Sequence, residues 1–318
     1  MKLLVTGGAG FIGSNFVQYI LEKYPDYEIV NLDALTYAGS PDNLKEVAGN
    51  PRYAFVQGRI EDGELADRLV PGIDVIINFA AESHVDRSIL EPQVFIKTNV
   101  MGTQVLLDAA LRHKVKLFYQ ISTDEVYGAL RLDSTERFTE DSQLRPNSPY
   151  SASKTAADLL AWAYYRTYGL PVVISRCSNN YGPRQHPEKF IPTVILNAMH
   201  NKPVPIYGDG LYVRDWIHVL DHCHAIDVII HKGQPGEVYN VGADNELANI
   251  DLAKKILKIL GKPESLLTSV QDRPGHDRRY AIESAKIRQS LGWAPAKDFQ
   301  SQLTATIDWY KARASAGR

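Results

Sequence analysis

Apolar positions follow two rhythms along the chain. Short apolar runs bounded by turn residues, at Leu3–Val5, Glu28–Asp33, Tyr53–Val56, Val75–Phe79, Lys116–Ile121 and Val172–Ser175, read as strands. Stretches between them carry apolar residues at helical spacing, among them Ser14–Lys23, Thr98–Arg112 and Pro149–Tyr165. Strands alternating with helices predict an α/β fold, a Rossmann-type doubly wound parallel sheet. Past Ser175 the texture changes to Asn179, Asn180, Gly182, Pro183, Pro187 and Pro192, with further amphipathic helices at Ile250–Leu260 and Thr304–Ala312. The expected division is a cofactor domain over 1–175, to which 213–241 returns, and a smaller mixed α/β substrate-binding lobe from 176–212 and 242–318.

The first strand runs into Gly7-Gly8-Ala9-Gly10-Phe11-Ile12-Gly13, and a helix begins directly after it. Glycines at 7, 10 and 13 bring bare backbone N–H groups and a helix N-terminus against a pyrophosphate. Asp33 ends the second strand 20 positions beyond Gly13, where a carboxylate meets ribose hydroxyls; its charge favours NAD over NADP.

Composition narrows the partners. The 318 residues are 44% hydrophobic and 23% charged with a formal charge of −2, so no field draws nucleic acid or an anionic membrane. No leader follows Met1 and no apolar run has membrane-spanning length, so a soluble cytoplasmic protein is expected. Cys177 and Cys223 form no CxxC and are expected as buried thiols.

Two motifs carry candidate chemistry. Ser122-Thr123-Asp124-Glu125-Val126-Tyr127-Gly128 follows the fifth strand, at the sheet edge where ligands bind. Tyr150 and Lys154, in Tyr-Ser-Ala-Ser-Lys, are four apart on one helical face. An ammonium there is expected to lower the tyrosine pKa and to bind ribose hydroxyls, which suits proton removal from an alcohol as hydride leaves the same carbon.

From Met1 to about Tyr310 the sequence resembles the extended short-chain dehydrogenase/reductase superfamily, and within it the dTDP-glucose 4,6-dehydratases. The resemblance rests on the glycine turn, Leu32–Gly39, Ala80–Ser88, Thr123–Gly128, Tyr150–Lys154, Asn179–Pro183, Pro187–Pro192 and Asp272–Tyr280. It implies NAD held by Gly7, Gly10, Phe11, Ile12, Gly13, Asp33, Ala34, Leu35, Thr36, Arg59, Ile60, Phe79, Ala80, Ala81, Ser83, Thr98, Tyr150, Lys154 and Asn180. It implies a nucleotide sugar held by Ser83, His84, Arg87, Thr123, Asn179, Lys189, Phe190, Pro205, Ile206, Tyr207, Arg214, Asn249, Arg273, His276 and Tyr280. By the same resemblance Tyr150 deprotonates the glucose C4 hydroxyl, with Thr123 on that oxygen. Glu125 removes the C5 proton, Asp124 protonates the departing C6 hydroxyl, and the hydride taken from C4 returns to C6. One carboxyl must then be ionised while its neighbour holds a proton. The resemblance also implies a homodimer through a four-helix bundle of the Thr98 and Tyr150 helices.

Arg59 stands where the family usually has Asp against the adenine, and arginine cannot accept from an amino group. No metal is expected: His218, Asp221, His222, Cys223 and His224 read as a helix entry with polar packing, and Tyr164, Tyr165 and Tyr168 as packing. The rival readings are a dehydratase of a UDP- or CDP-sugar, an epimerase, and an NAD-binding regulator without catalysis.

Overall fold

In a computed structural model, residues 1–272, 274–296 and 298–315 are described. Seven parallel strands form the central sheet: β1 (Lys2–Thr6), β2 (Glu28–Asp33), β3 (Tyr53–Gln57), β4 (Val75–Asn78), β5 (Leu117–Thr123), β6 (Val172–Cys177) and, from later in the chain, one at Val238–Val241. Their spatial order is β3-β2-β1-β4-β5-β6 and then the Val238–Val241 strand. The order reverses between β1 and β4, so the crevice of a doubly wound sheet opens there. β4, β5 and β6 are buried at every position, as strands covered on both faces must be, whereas the edge strand β3 is largely exposed.

Helices cover both faces. On one, α1 (Phe11–Lys23) packs beside α8 (Val219–Lys232) over Leu3, Val5, Phe16, Ile20, Ile77 and Ile226. On the other, α2 (Gly63–Leu69), α5 (Thr103–Arg112) and α6 (Pro149–Tyr168) close over Leu4, Ile76, Leu106, Phe118 and Ile174. α6 has strong end signals: Ser148 caps it in a reciprocal box with Ser151, Pro149 opens it, and Gly169 closes it at φ +71°. The stretch expected as one helix over Thr98–Arg112 is more complicated. Short α3 (Val85–Leu90) and α4 (Pro92–Phe95) lead into a π-helical turn, Ile96–Gly102, before α5 begins.

The second lobe holds β7 (Asn179–Tyr181), α7 (Phe190–Met199), β8 (Val204–Tyr207), β9 (Val213–His218), and, after the strand β10 at Val238–Val241, β11 (Glu246–Ala248), α9 (Asn249–Leu260) and β12 (Leu267–Val270). α10 (Ala285–Leu291) and α11 (Phe299–Ser315) complete the chain. α7, α9 and α11 share a core of Ile191, Val194, Ile195, Leu252, Ile256, Leu303 and Ile307. β10 has only four residues, Val-Tyr-Asn-Val, too short a run to distinguish from a loop without knowing that β6 offers it an edge.

The His218 cluster is structural. His218 caps α8; His222 Nδ1 lies 2.9 Å from Asn180 Oδ1, and burial pushes its imidazole down to about 3. Asp221 accepts from Ala296 N and Gln302 Nε2, tying the C-terminal segment to α8. Among the described residues, no three His, Cys, Asp or Glu side chains group as a metal site, and no helix is long and apolar enough to cross a membrane. Tyr164 donates to Asp108 and meets Tyr168 edge to face.

Candidate active site

One cavity runs along the carboxyl ends of β1, β2, β4, β5 and β6 and under the loops of the second lobe. The glycine turn forms its floor. A Cβ on Gly7 would lie 2.7 Å from Ala80 N, and one on Gly13 2.4 Å from Gly7 O; both neighbours are backbone, so neither position admits a side chain. α1 begins at Phe11 with no side chain capping it, so its N-terminal N–H groups open on this cavity. Such a cradle fits a dinucleotide pyrophosphate. Asp33 accepts from Ala9 N and Leu35 N, each at 2.8 Å, which leaves each carboxylate oxygen a further lone pair for a ribose hydroxyl. Burial raises its pKa, with those two N–H groups acting against the shift.

The chemistry sits where β5 meets α6. Thr123 ends β5, donates to Asp124 Oδ1 at 3.3 Å and accepts from Glu125 N. Asp124 is buried, its Oδ2 has no protein partner, and its pKa stands well above the carboxylate range. Burial is the main cause; the charges of Glu125 and Asp215 add to it and Arg214 opposes it. Burial therefore favours the protonated form of Asp124, while Glu125 beside it is only half-buried. Two adjacent carboxyls thus have the different surroundings that an acid and a base require.

Lys154 is buried and Tyr150 half-buried in this cavity wall. Lys154 Nζ donates to Ile121 O at 2.7 Å, and burial lowers its pKa while Asp158 raises it. The expected lowering of the tyrosine pKa is not what the chain alone produces. Burial raises it well above its ordinary value, the charges of Glu125 and Asp124 raise it further, and only a bond to Thr123 opposes them. Helical spacing put the two residues on one face, but desolvation and the carboxylates set the direction of the tyrosine shift.

Of the residues expected at the cofactor, Ala34, Thr36, Arg59, Ile60, Phe79, Ala80, Ala81, Ser83, Thr98 and Asn180 line the same cavity, and Leu35 stands beside them at φ +50°. Gly39, Glu61, Glu82, Cys177, Ser178, Gln185, His186 and Glu188 line it too; Gly39, Glu82 and Glu188 fall within the family motifs, but none of the eight was expected as a site residue. Position directly after a strand was the signal available for Glu61 and Glu82.

The residues expected at the substrate fall into two groups. Asn179 and Lys189 line the cavity, and Lys189 Nζ donates to Ser83 O at 3.1 Å. His84 lies 3.7 Å from Glu188, and Arg87 covers the ring of Tyr37 at 4.2 Å. Arg214 donates to Val213 O and Asp277 O and lies 4.2 Å over the Tyr280 ring, while Glu125 acts electrostatically on Tyr280. These two therefore flank the acid pair. Further out, Phe190 stacks on Trp216, Tyr207 meets His276 edge to face, and Asn249 opens α9 with a buried Oδ1 lacking a partner. Pro205 sits half-buried on β8, but the Ile206 side chain turns into the second lobe's core, leaving only its backbone to a ligand. Arg273 lies outside the described residues.

A doubly wound sheet with this glycine cradle and a Tyr-Lys pair beside it defines the extended short-chain dehydrogenase/reductase class. The GDP-mannose 4,6 dehydratase family model matches residues 4–306. The chain is 53% identical over 310 residues to the low-salt glycan biosynthesis protein Agl12 of Haloferax volcanii, covering 98% of each. It is 53% identical over 310 residues to a dTDP-glucose 4,6-dehydratase of Streptomyces griseus, covering 97% of this chain and 93% of that one. The crystal structure of DesIV, a dTDP-glucose 4,6-dehydratase of Streptomyces venezuelae with NAD bound, superposes with a TM-score of 0.96 at 48% identity over 99% and 98% of the two chains. The chain belongs to the dTDP-glucose 4,6-dehydratase family.

Proposed function

We propose that this protein is an NAD-dependent hydro-lyase that converts dTDP-glucose to dTDP-4-keto-6-deoxyglucose and water. The observation that carries this reading is the buried Asp124, whose pKa burial raises, beside the half-buried Glu125 and next to Tyr150. An epimerase of the same fold has no step that needs an acid and a base at C6 and C5. NAD⁺ supplies the acceptor that takes hydride from C4 and gives it back at C6.

The chain's own residues move the protons. Tyr150 takes the proton of the C4 hydroxyl while Thr123 holds that oxygen; a cation added to this buried wall favours the tyrosinate, as opposite charge does. The C4 ketone acidifies the C5 hydrogen, which Glu125 removes. Asp124 delivers its proton to the C6 hydroxyl, and water departs; as hydride is added at C6 the proton held by Glu125 returns to C5, and the proton taken by Tyr150 balances the one Asp124 gave up. Lys154 orients ribose hydroxyls, and Arg214 holds the sugar nucleotide against the acid pair.

We further propose the division into a cofactor domain and a sugar-nucleotide lobe stated above, a cytoplasmic location, and a homodimer. Met101, Leu159 and Trp162 are exposed on the Thr98 and Tyr150 helices of the expected four-helix bundle, and Leu90 and Ile96 are exposed just before them; light scattering in solution reads the assembly directly. The function is tested by incubating the protein with dTDP-, UDP- and CDP-glucose and following 4-keto product. Turnover of dTDP-glucose is expected, and none with that substrate overturns the proposal.

A further inference from the structure

Along the sheet edge the ends of β1, β2 and β3 present, in order, the glycine turn, Asp33 and the segment Gly58–Glu61. A dinucleotide with its pyrophosphate at the first and its adenosine ribose at the second has its base at the third. Arg59 reaches this end with a side chain 55% exposed, and a guanidinium has donors only. Glu61 differs from it: its side chain is only 10% exposed and it lines the cavity.

Three contacts hold that carboxylate. Thr98 Oγ1 donates to Glu61 Oε1 at 3.0 Å, and Arg59 Nη1 lies 3.9 Å from the same oxygen. The third is packing from the π-turn. A Cβ on Gly102 would lie 2.6 Å from Ile60 Cδ1 and 3.4 Å from Glu61 Cγ, so glycine there lets the helix close onto this segment. A charged acceptor with a fixed stem at the wall of a base site selects for an amino group and against an oxo group.

We propose that the Glu61 carboxylate accepts the hydrogen bond of the adenine amino group, with Arg59 and Thr98 orienting it. The assignment rests on reading the cavity as an NAD site. It also supplies the acceptor that Arg59 cannot.

The test compares NAD⁺ with nicotinamide hypoxanthine dinucleotide, in which an oxo group replaces the adenine amino group, by calorimetric Kd on protein freed of bound nucleotide. The unaltered chain is expected to prefer NAD⁺ by about tenfold, one charge-assisted hydrogen bond. Glu61→Ala brings that ratio near one by weakening NAD⁺ while leaving the melting temperature in place. Glu61→Gln keeps the bond to Thr98 and can accept from an amino or donate to an oxo group, so its ratio also falls toward one. Both variants keeping the original ratio, with NAD⁺ still bound, overturns the role of Glu61 alone. Failure of the unaltered chain to bind NAD⁺ overturns the cofactor reading with it.

Discussion

Asp124→Asn separates the oxidation from the elimination. The substitution puts an amide of nearly the same shape in place of a carboxyl whose pKa burial raises, and Oδ1 still accepts from Thr123. The fold is expected to lose no more than about 1 kcal/mol, because the amide keeps the shape and the bond to Thr123 and no packing is opened. Loss of the proton donor removes general acid catalysis of C6–O cleavage, typically a factor of about 10²–10⁴, which is about 3–5 kcal/mol of barrier. Tyr150, Thr123 and Lys154 are untouched, so C4 oxidation continues. In a stopped-flow single turnover with dTDP-glucose, the absorbance of reduced nicotinamide should rise and persist, while 4-keto-6-deoxy product forms slowly. In deuterated water the accumulated sugar should take up deuterium at C5, since Glu125 remains to exchange that position. If no reduced nicotinamide accumulates, Asp124 is not the elimination acid. A large loss of stability at neutral pH would instead show that the native carboxyl is ionised.

Other expectations follow from the same geometry. Tyr150→Phe should abolish most of the nicotinamide absorbance change, with dTDP-glucose still bound as read by calorimetry; full activity would remove Tyr150 as the base. Gly13→Ala places a Cβ 2.4 Å from Gly7 O and 2.8 Å from Gly8 Cα, an overpacking of about 1–3 kcal/mol that should weaken NAD⁺ tenfold or more in a calorimetric titration. Asp124 also sets a pH trend. Its folded pKa lies above the unfolded value of about 3.9, so its contribution is complete below that pH and is lost as pH rises through the folded value. The melting temperature of Asp124→Asn minus that of the unaltered chain should therefore grow as pH rises from about 4; a constant difference would refute the shift.

Period and spacing made the sheet legible in the sequence. Strand and helix alternation announced the doubly wound sheet, the glycines announced the cradle at its first turn, and a gap of four announced Tyr150 and Lys154 on one face. These signals are covalent and local, so a chain carries them before it folds. The four-residue β10 and the π-turn before α5 were not legible, since a strand edge and a helix defect exist only against their neighbours. The acid pair divides in the same way. The sequence by itself determined that Asp124 and Glu125 are adjacent at a strand end. Only the tertiary structure decided that the Asp124 pKa is raised, because burial together with Asp215 and Arg214, some 90 residues away, sets the energy of charging Asp124. Likewise it reversed the expected direction for Tyr150 and set Glu61 against Thr98 and Gly102. Spacing along a helix reports which groups meet, whereas their protonation depends on how much water the rest of the fold excludes.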